Sequence, residues 1–120
     1  MKTVIIGASP NPDRYAFQAA STLKQYGHDF VPLSIKRGEV LCQSIIDIRT
    51  LPAIAGVHTI TLYIRQELQE PFYDYLIGLK PKRIIFNPGT ENTEFAEMAE
   101  QAGIEAIEAC TLVMLRTGQF

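Results

Sequence analysis

The feature of this sequence that most constrains its fold is a regular alternation between short apolar runs and segments with helical periodicity. The runs are rich in β-branched residues, which is typical of strands buried on both faces. They lie at residues 3–6, 30–33, 57–64, 83–87 and 104–107. Apolar side chains recur at helical spacing at residues 16–23, 72–79 and 95–102. Strands that alternate with helices in this way predict βαβ units and a parallel sheet.

We therefore predict an α/β fold with a doubly wound, parallel, five-stranded sheet and right-handed crossovers. Residues 1–120 form one domain, because the chain has a single domain's length and no linker composition. Residues 34–56 are irregular, with a weak apolar pattern that predicts one short helix at most. Residues 110–120 are expected to pack against the rest, without an assigned structure.

Composition excludes several classes of protein. The chain is 47% hydrophobic with a formal net charge of −2, so neither intrinsic disorder nor a broad nucleic-acid-binding surface is expected. Charge is uneven along the chain: residues 1–60 carry six basic and four acidic side chains, whereas residues 61–120 carry five and nine. An anion-binding site is therefore expected to use the N-terminal half.

The two cysteines and the hydropathy pattern point to a cytoplasmic protein without a metal site. Cys42 and Cys110 lie 68 positions apart, and no cysteine or histidine pair has metal-ligand spacing. No apolar run approaches the roughly 20 residues of a membrane span, and the first residues do not resemble a signal peptide. We expect no membrane partner.

The loop after the first predicted strand has the composition of a phosphate-binding turn. Gly7 allows a tight turn and a close approach to an oxygen, Ser9 adds a hydroxyl donor, and Arg14 or Tyr15 begins the next helix. Free amides at a helix start attract phosphate. The loop lacks the full GxGxxG pattern, so an ordinary strand-to-helix turn is an equal alternative.

The loop after the second predicted strand distinguishes between nucleotides. NAD-binding sites usually carry an acidic residue at the end of this strand, but Asp29 precedes the strand here. Lys36 and Arg37 follow it and would pair with a phosphorylated ribose, as in NADP or coenzyme A. The alternative is a solvated basic turn. His28 and His58 have no sequence-local nucleophile, so we assign no catalytic residue.

Two segments together resemble a known family. Residues 4–14 (VIIGASPNPDR) and 30–41 (FVPLSIKRGEVL) are similar to the small stand-alone CoA-binding proteins of bacteria, and thus to the N-terminal CoA-binding domain of the succinyl-CoA synthetase alpha subunit. Residues 85–92 and 102–110 fit the same pattern, so the resemblance covers essentially the whole chain. It implies a Rossmann-like fold that binds coenzyme A.

The resemblance also implies residue roles. The loop that approaches the phosphates corresponds to Gly7, Ala8, Ser9 and Pro10. Lys36, with Arg37, would meet the phosphorylated ribose, and Tyr63, Ile64 and Asn87 would border the ligand. The chain departs from the family at residues 32–36, where Pro-Leu-Ser-Ile-Lys replaces Pro-Val-Asn-Pro-Lys, and at residues 87–89, where Asn-Pro-Gly replaces a Gln-x-Gly turn. The synthetase's phosphorylated histidine belongs to a second domain outside this resemblance, so no ligase activity is implied.

The sequence therefore predicts a coenzyme A-binding module that is not itself an enzyme and that pairs as a homodimer if it follows other small folds of this kind. The alternatives are an NADP-dependent oxidoreductase component and a regulatory or interaction protein that has lost nucleotide binding. The candidate ligand-binding residues are Gly7, Ala8, Ser9, Pro10, Arg14, Tyr15, Ser34, Lys36, Arg37, Tyr63, Ile64 and Asn87.

Overall fold

The computed structural model describes all 120 residues and contains eight strands. Six of them form one parallel sheet in the order β5-β2-β1-β6-β7-β8, and β3 and β4 form a separate antiparallel hairpin. The strands are β1 (Lys2–Ile6), β2 (Asp29–Ser34), β3 (Glu39–Val40), β4 (Gln43–Ser44), β5 (Ile46–Asp47), β6 (Val57–Leu62), β7 (Arg83–Phe86) and β8 (Glu105–Glu108). The parallel α/β fold is confirmed.

Four α-helices and three 3₁₀ turns connect and cover the strands. The helices are α1 (Tyr15–Gln25), α2 (Tyr73–Gly78), α3 (Thr93–Gln101) and α4 (Thr111–Arg116). The 3₁₀ turns are Ile48–Thr50, Gln66–Leu68 and Glu70–Phe72. No helix has the length and apolar character that crossing a bilayer requires.

The central sheet separates two hydrophobic cores, because successive side chains of a strand point to opposite faces. In β1, Val4 and Ile6 pack into a core that includes residues of α2 and α3, whereas Ile5 packs against residues of α1 and α4. All three side chains are at most 1% exposed. The expectation that β1 is buried on both faces is confirmed.

The expected number of five strands in the sheet is wrong by one, because β5 pairs with the end of β2. Leu33 and Ser34 of β2 pair with Ile46 and Asp47. A two-residue strand has no periodicity of its own, so only this long-range pairing defines it. Residues 34–56 also contain the β3–β4 hairpin and the Ile48–Thr50 turn, whereas residues 51–56 form no strand or helix. The C-terminal segment that had no assigned structure contains α4.

The strand order reverses beside β1, which lies between β2 and β6. Ligands of doubly wound sheets bind at the carboxyl ends of the strands that flank such a reversal. Gly7 ends β1 at this point with a φ of +92°, and a Cβ there would lie 2.8 Å from Cγ2 of Ile64 and 3.0 Å from the backbone of Tyr63. Only glycine fits at residue 7. The tight turn that the sequence predicts at Gly7 therefore lies where the strand order reverses.

Candidate ligand-binding site at the carboxyl edge of the sheet

Two backbone amides of the first loop, which we expected to bind a phosphate, are hydrogen-bonded within the protein instead. The amides of Gly7 and Ala8 both donate to the carbonyl of Leu33, at 2.8 and 3.1 Å. Ala8 is also 1% exposed and packs in the core beneath α1. The expectation that the amides of this loop are free is therefore wrong for Gly7 and Ala8, since β2 supplies an acceptor that the local sequence does not reveal.

Ser9 is the polar group that this loop keeps at the strand end. Its hydroxyl oxygen accepts a hydrogen bond from the amide of Asn11 at 3.1 Å, so its hydroxyl proton is left to donate elsewhere. Its own amide donates to no acceptor within the protein. Ser9 is 3% exposed, so the loop holds this hydroxyl in a fixed position beside the start of α1.

The start of α1 supplies further free donors. The helix begins at Tyr15, one of the two residues expected to begin it, and Arg14 is its N-cap. The Arg14 side chain makes no capping hydrogen bond, and no acidic residue lies in the first turn. The amides of Tyr15 and Ala16 have no acceptor within the protein. Unbonded amides and the positive end of the helix dipole form a site for an anion.

A polar cavity of about 280 Å³ lies beside these donors. Its lining contains three exposed cations, Arg14, Lys36 and Arg65, and no carboxylate. Arg65 makes only a long contact of 3.8 Å with the exposed carboxylate of Glu67, and Arg14 and Lys36 form no ion pair. The lining residues are Gly7, Ser9, Arg14, Tyr15, Ala16, Lys36, Tyr63, Arg65, Pro88, Gly89 and Thr90. Unneutralised positive charge of this kind favours a polyanion.

The loop after β2 is folded toward the first loop. The hydroxyl of Ser34 accepts the amide of Lys36 at 3.1 Å, which turns the chain directly after the strand. Gly38, with a φ of +136°, lies against the ring of Pro10, where a Cβ would be 3.0 Å from the proline Cβ. These contacts keep Lys36 beside the polar cavity, whereas Arg37 lines none of the cavities at this edge.

An apolar cavity lies on each side of the polar one. The first, of about 230 Å³, shares Gly7 with the polar cavity, and the second, of about 240 Å³, shares Tyr15, Tyr63 and Pro88 with it. The first is lined by Ile6, Gly7, Ser34, Ile35, Ile48, Ile64, Glu67, Leu68, Pro71 and Phe72. The second is lined by Tyr15, Tyr63, Asn87, Pro88, Cys110 and Leu112. The edge thus presents three adjoining compartments in the order apolar, polar, apolar.

Tyr63 lies between the polar cavity and the second apolar cavity. Burial raises the pKa of its phenol to about 12, so the side chain stays neutral at physiological pH. A neutral phenol can donate a hydrogen bond without adding negative charge to a site for an anion.

No group of three or more histidine, cysteine or acidic side chains has the arrangement needed to hold a metal ion.

Asn87 lines the second apolar cavity, but its amide is directed into the protein. Its Nδ2 donates to the Thr61 hydroxyl at 2.6 Å and to the Leu62 carbonyl at 2.8 Å, and its Oδ1 accepts the amide of Thr111 at 2.9 Å. Asn87 is 3% exposed. Its observed role is to tie β6, β7 and α4 together at the base of the site.

The structure brings nine of the twelve candidate residues to the three cavities. The polar cavity includes Gly7, Ser9, Arg14, Tyr15, Lys36 and Tyr63; Ser34 and Ile64 line the first apolar cavity and Asn87 the second. Ala8, Pro10 and Arg37 line none of them. Five residues of the polar cavity were not among the candidates: Ala16, Arg65, Pro88, Gly89 and Thr90. Arg65 directly follows the Tyr63-Ile64 pair, so its position after a strand was the available signal.

Comparisons with known structures agree with this fold. A solved structure of an uncharacterized protein is 53% identical, with a TM-score of 0.96 over 99% of this chain and 97% of the other. A Pyrococcus horikoshii protein is 23% identical (TM-score 0.82; 96% and 81% covered), and a Thermus thermophilus protein is 18% identical (TM-score 0.84; 99% and 90% covered). These last two show the fold alone.

The family comparison is more specific. None of the curated proteins matches the chain significantly. A family model described as a CoA binding domain matches residues 1–116, which is nearly the whole chain. The resemblance inferred from the first two loops is thereby confirmed, and the chain belongs to the family of CoA-binding domains.

Proposed function

We propose that this protein binds coenzyme A, or an acyl-CoA, at the carboxyl edge of its sheet. The observation that carries the proposal is the polar cavity, whose lining contains three cations, the unbonded amides of Tyr15 and Ala16, and no carboxylate. Such a cavity favours phosphate groups. Family membership supports coenzyme A as the phosphate-bearing ligand.

The chemistry of the ligand matches the order of the three compartments. Coenzyme A has an adenosine end, a diphosphate and a less charged pantetheine arm. In this proposal the diphosphate occupies the polar cavity, beside Ser9 and the start of α1. The adenine enters the first apolar cavity beside Ile35 and Ile64, and the arm extends into the second, beside Tyr63.

Lys36 is the proposed partner of the 3′-phosphate on the ribose. It lines the polar cavity, and its neighbours Ser34 and Ile35 line the adjoining apolar cavity. The ribose lies between the adenine and the diphosphate, so a cation at this boundary can reach the 3′-phosphate that the ribose carries. The same position explains why Arg37, which lies outside the cavities, has a smaller proposed role.

We also propose that the protein is a ligand-binding module and not an enzyme by itself. No histidine lines any of the three cavities, and the Tyr63 phenol is held neutral with a pKa of about 12. An NADP-dependent oxidoreductase component is the second candidate, because NADP also has adenosine, phosphates and a phosphorylated ribose that would fit the cations.

Titration calorimetry with coenzyme A, dephospho-CoA, NADP and NAD tests the proposal. Coenzyme A should bind most tightly, and dephospho-CoA about tenfold more weakly, because it lacks the charge-assisted contact with Lys36. Tighter binding of NADP than of coenzyme A would support the oxidoreductase alternative. A lack of binding by all four nucleotides would overturn the proposal and favour a protein that has kept the fold and lost the ligand.

A further inference from the structure

The loops that follow β6 and β7 form one wall of the polar cavity, and backbone pairing does not hold them together. Paired residues of these two strands extend only to Leu62 and Phe86. Arg65 lies three residues beyond this limit, and Gly89 and Thr90 lie three and four residues beyond it, yet all three line the same cavity. Asn87 joins the ends of the two strands through Thr61 and Leu62, and a second side-chain contact joins the loops beyond them.

The side chain of Gln69 provides that contact. Its Nε2 donates to the carbonyl of Ile64 at 3.0 Å and to the carbonyl of Thr90 at 2.8 Å, so one nitrogen bridges the two loops. Gln69 is completely buried. The first carbonyl belongs to the residue before Arg65, and the second belongs to a residue that itself lines the cavity.

The surroundings of Gln69 fix its orientation. Asn92 donates to the Gln69 side-chain oxygen at 2.9 Å and to the Tyr73 hydroxyl at 2.7 Å. Asn92 also caps α3 by accepting the amide of Phe95 at 3.1 Å. The Gln69 amide therefore has both hydrogens and its oxygen in use, and it cannot rotate without breaking buried hydrogen bonds.

Movement at the Thr90 end would reach the rest of the cavity wall. The amide and the hydroxyl of Thr90 both donate to the carbonyl of Asn87, at 2.9 and 2.8 Å, so residues 87–90 form a closed turn. Pro88 and Gly89, at the centre of that turn, line the polar cavity. A displaced Thr90 would displace them with it.

We propose that Gln69 is a positioning residue that sets the distance between Arg65 and the Pro88–Thr90 turn, and thereby the fit of the polar cavity to a diphosphate. The inference rests on the proposed function. Gln69 lines none of the three cavities, so a ligand bound in them would not touch its side chain. Its effect on affinity is therefore indirect, and it should be confined to ligands that carry phosphate.

Gln69→Met tests this role, because it keeps an unbranched side chain of similar length and removes the bridge. We expect Gln69→Met to weaken coenzyme A in calorimetry, and ADP in ligand-observed NMR, by about tenfold, the effect of one weakened charge-assisted contact. Binding of adenosine should be unchanged. Gln69→Asn, one methylene too short to reach both carbonyls, should act in the same direction if Gln69→Met does not fold.

Tyr73→Phe is the matched control, because it removes one hydrogen bond from the same network and leaves the bridge intact. It should lower stability without changing the affinity for coenzyme A. Unchanged affinities in both Gln69 variants, or an equal loss for adenosine and ADP, would overturn the positioning role alone. Wild-type protein that binds neither coenzyme A nor ADP would overturn both proposals.

Discussion

Both edges of the central sheet carry arginine, but in opposite settings. At the carboxyl edge, Arg65 is exposed and lines an open cavity with Arg14 and Lys36. At the amino edge, Arg83 is only 9% exposed, donates from Nε to the Thr59 hydroxyl at 2.8 Å, and lies 4.4 Å from the centre of the Phe120 ring. The comparison shows how position on one sheet separates a cation available to a ligand from a cation built into the core.

The amino edge also differs in how its polar groups are enclosed. Thr3, Thr59 and Arg83 form one row across β1, β6 and β7, and all three are buried. The ring of His28 lies 5.1 Å from that of Phe120, which also contacts the Arg83 guanidinium. No cavity comparable to those at the carboxyl edge includes these residues. Mutations at the two edges should therefore separate affinity from stability.

The largest effect should come from removing two cations of the polar cavity. We expect Lys36→Ala with Arg65→Ala to weaken coenzyme A by at least about a hundredfold, since each lost charge-assisted contact costs roughly 1.5–3 kcal/mol. Calorimetry gives the affinity. Lys24→Ala with Arg116→Ala removes the same charge from exposed positions outside the cavities and serves as the control. Equal losses in the two double variants would mean that only net charge matters.

The next effect concerns the amino edge. Arg83→Met should lower the free energy of unfolding by about 1–3 kcal/mol, because it removes a buried hydrogen bond to the Thr59 hydroxyl and the contact with Phe120. Urea denaturation measures this loss, and the affinity for coenzyme A should stay at the wild-type value. A drop in affinity with no drop in stability would contradict the proposal that the amino edge contributes to stability and not to ligand binding.

A smaller effect separates two neighbouring residues of the basic loop. Lys36→Ala should weaken coenzyme A by about tenfold, whereas Arg37→Ala should change affinity by no more than about twofold, as is usual for an exposed charge without a partner. Both variants are compared by calorimetry in the same buffer. The reverse ranking would show that Arg37 turns toward the ligand and that the assignment of Lys36 is wrong.

The smallest effect is a dependence of stability on pH at the amino edge. Burial, followed by the charges of the N-terminus and Arg83, lowers the pKa of His28, and burial followed by Arg83 and Lys82 lowers that of His58. In the unfolded chain both histidines bind protons at about pH 6.5, before the folded protein does. Stability without ligand should therefore fall as the pH drops through this region.

The double variant His28→Gln with His58→Gln should weaken that pH dependence. Thermal unfolding at pH 7.5 and 5.5 provides the comparison, with wild-type protein as the reference. A melting temperature for wild type that rises toward pH 5.5 would contradict the lowered pKa values of these two histidines.

Local sequence patterns predicted the features that depend on neighbouring residues. The five longer strands appeared where apolar runs occur, and Gly7 marked the turn at which the strand order reverses. Local patterns failed to predict features that depend on a residue distant in sequence. Strand β5 exists only because Ile46 and Asp47 pair with β2, and the amides of Gly7 and Ala8 are occupied because the Leu33 carbonyl reaches them.

In the candidate site, too, sequence patterns predicted local features and missed those that depend on distant residues. Lys36 was recognisable because it follows a strand beside a phosphate-type loop, whereas Arg65 also follows a strand but belongs to no recognised motif. The inward orientation of the Asn87 amide depends on partners 24 to 26 residues away, and the Gln69 bridge needs Thr90, which is 21 residues away. Only the folded chain reveals such contacts.

The most direct test follows the backbone amides by NMR while coenzyme A is added to the wild-type protein. We expect chemical-shift changes to concentrate on Ser9, Tyr15, Ala16 and Gly89 at the carboxyl edge, and the amides of Thr3 and Arg83 to stay unchanged. Shifts centred on the amino edge, or no shifts with saturating coenzyme A, would contradict this expectation.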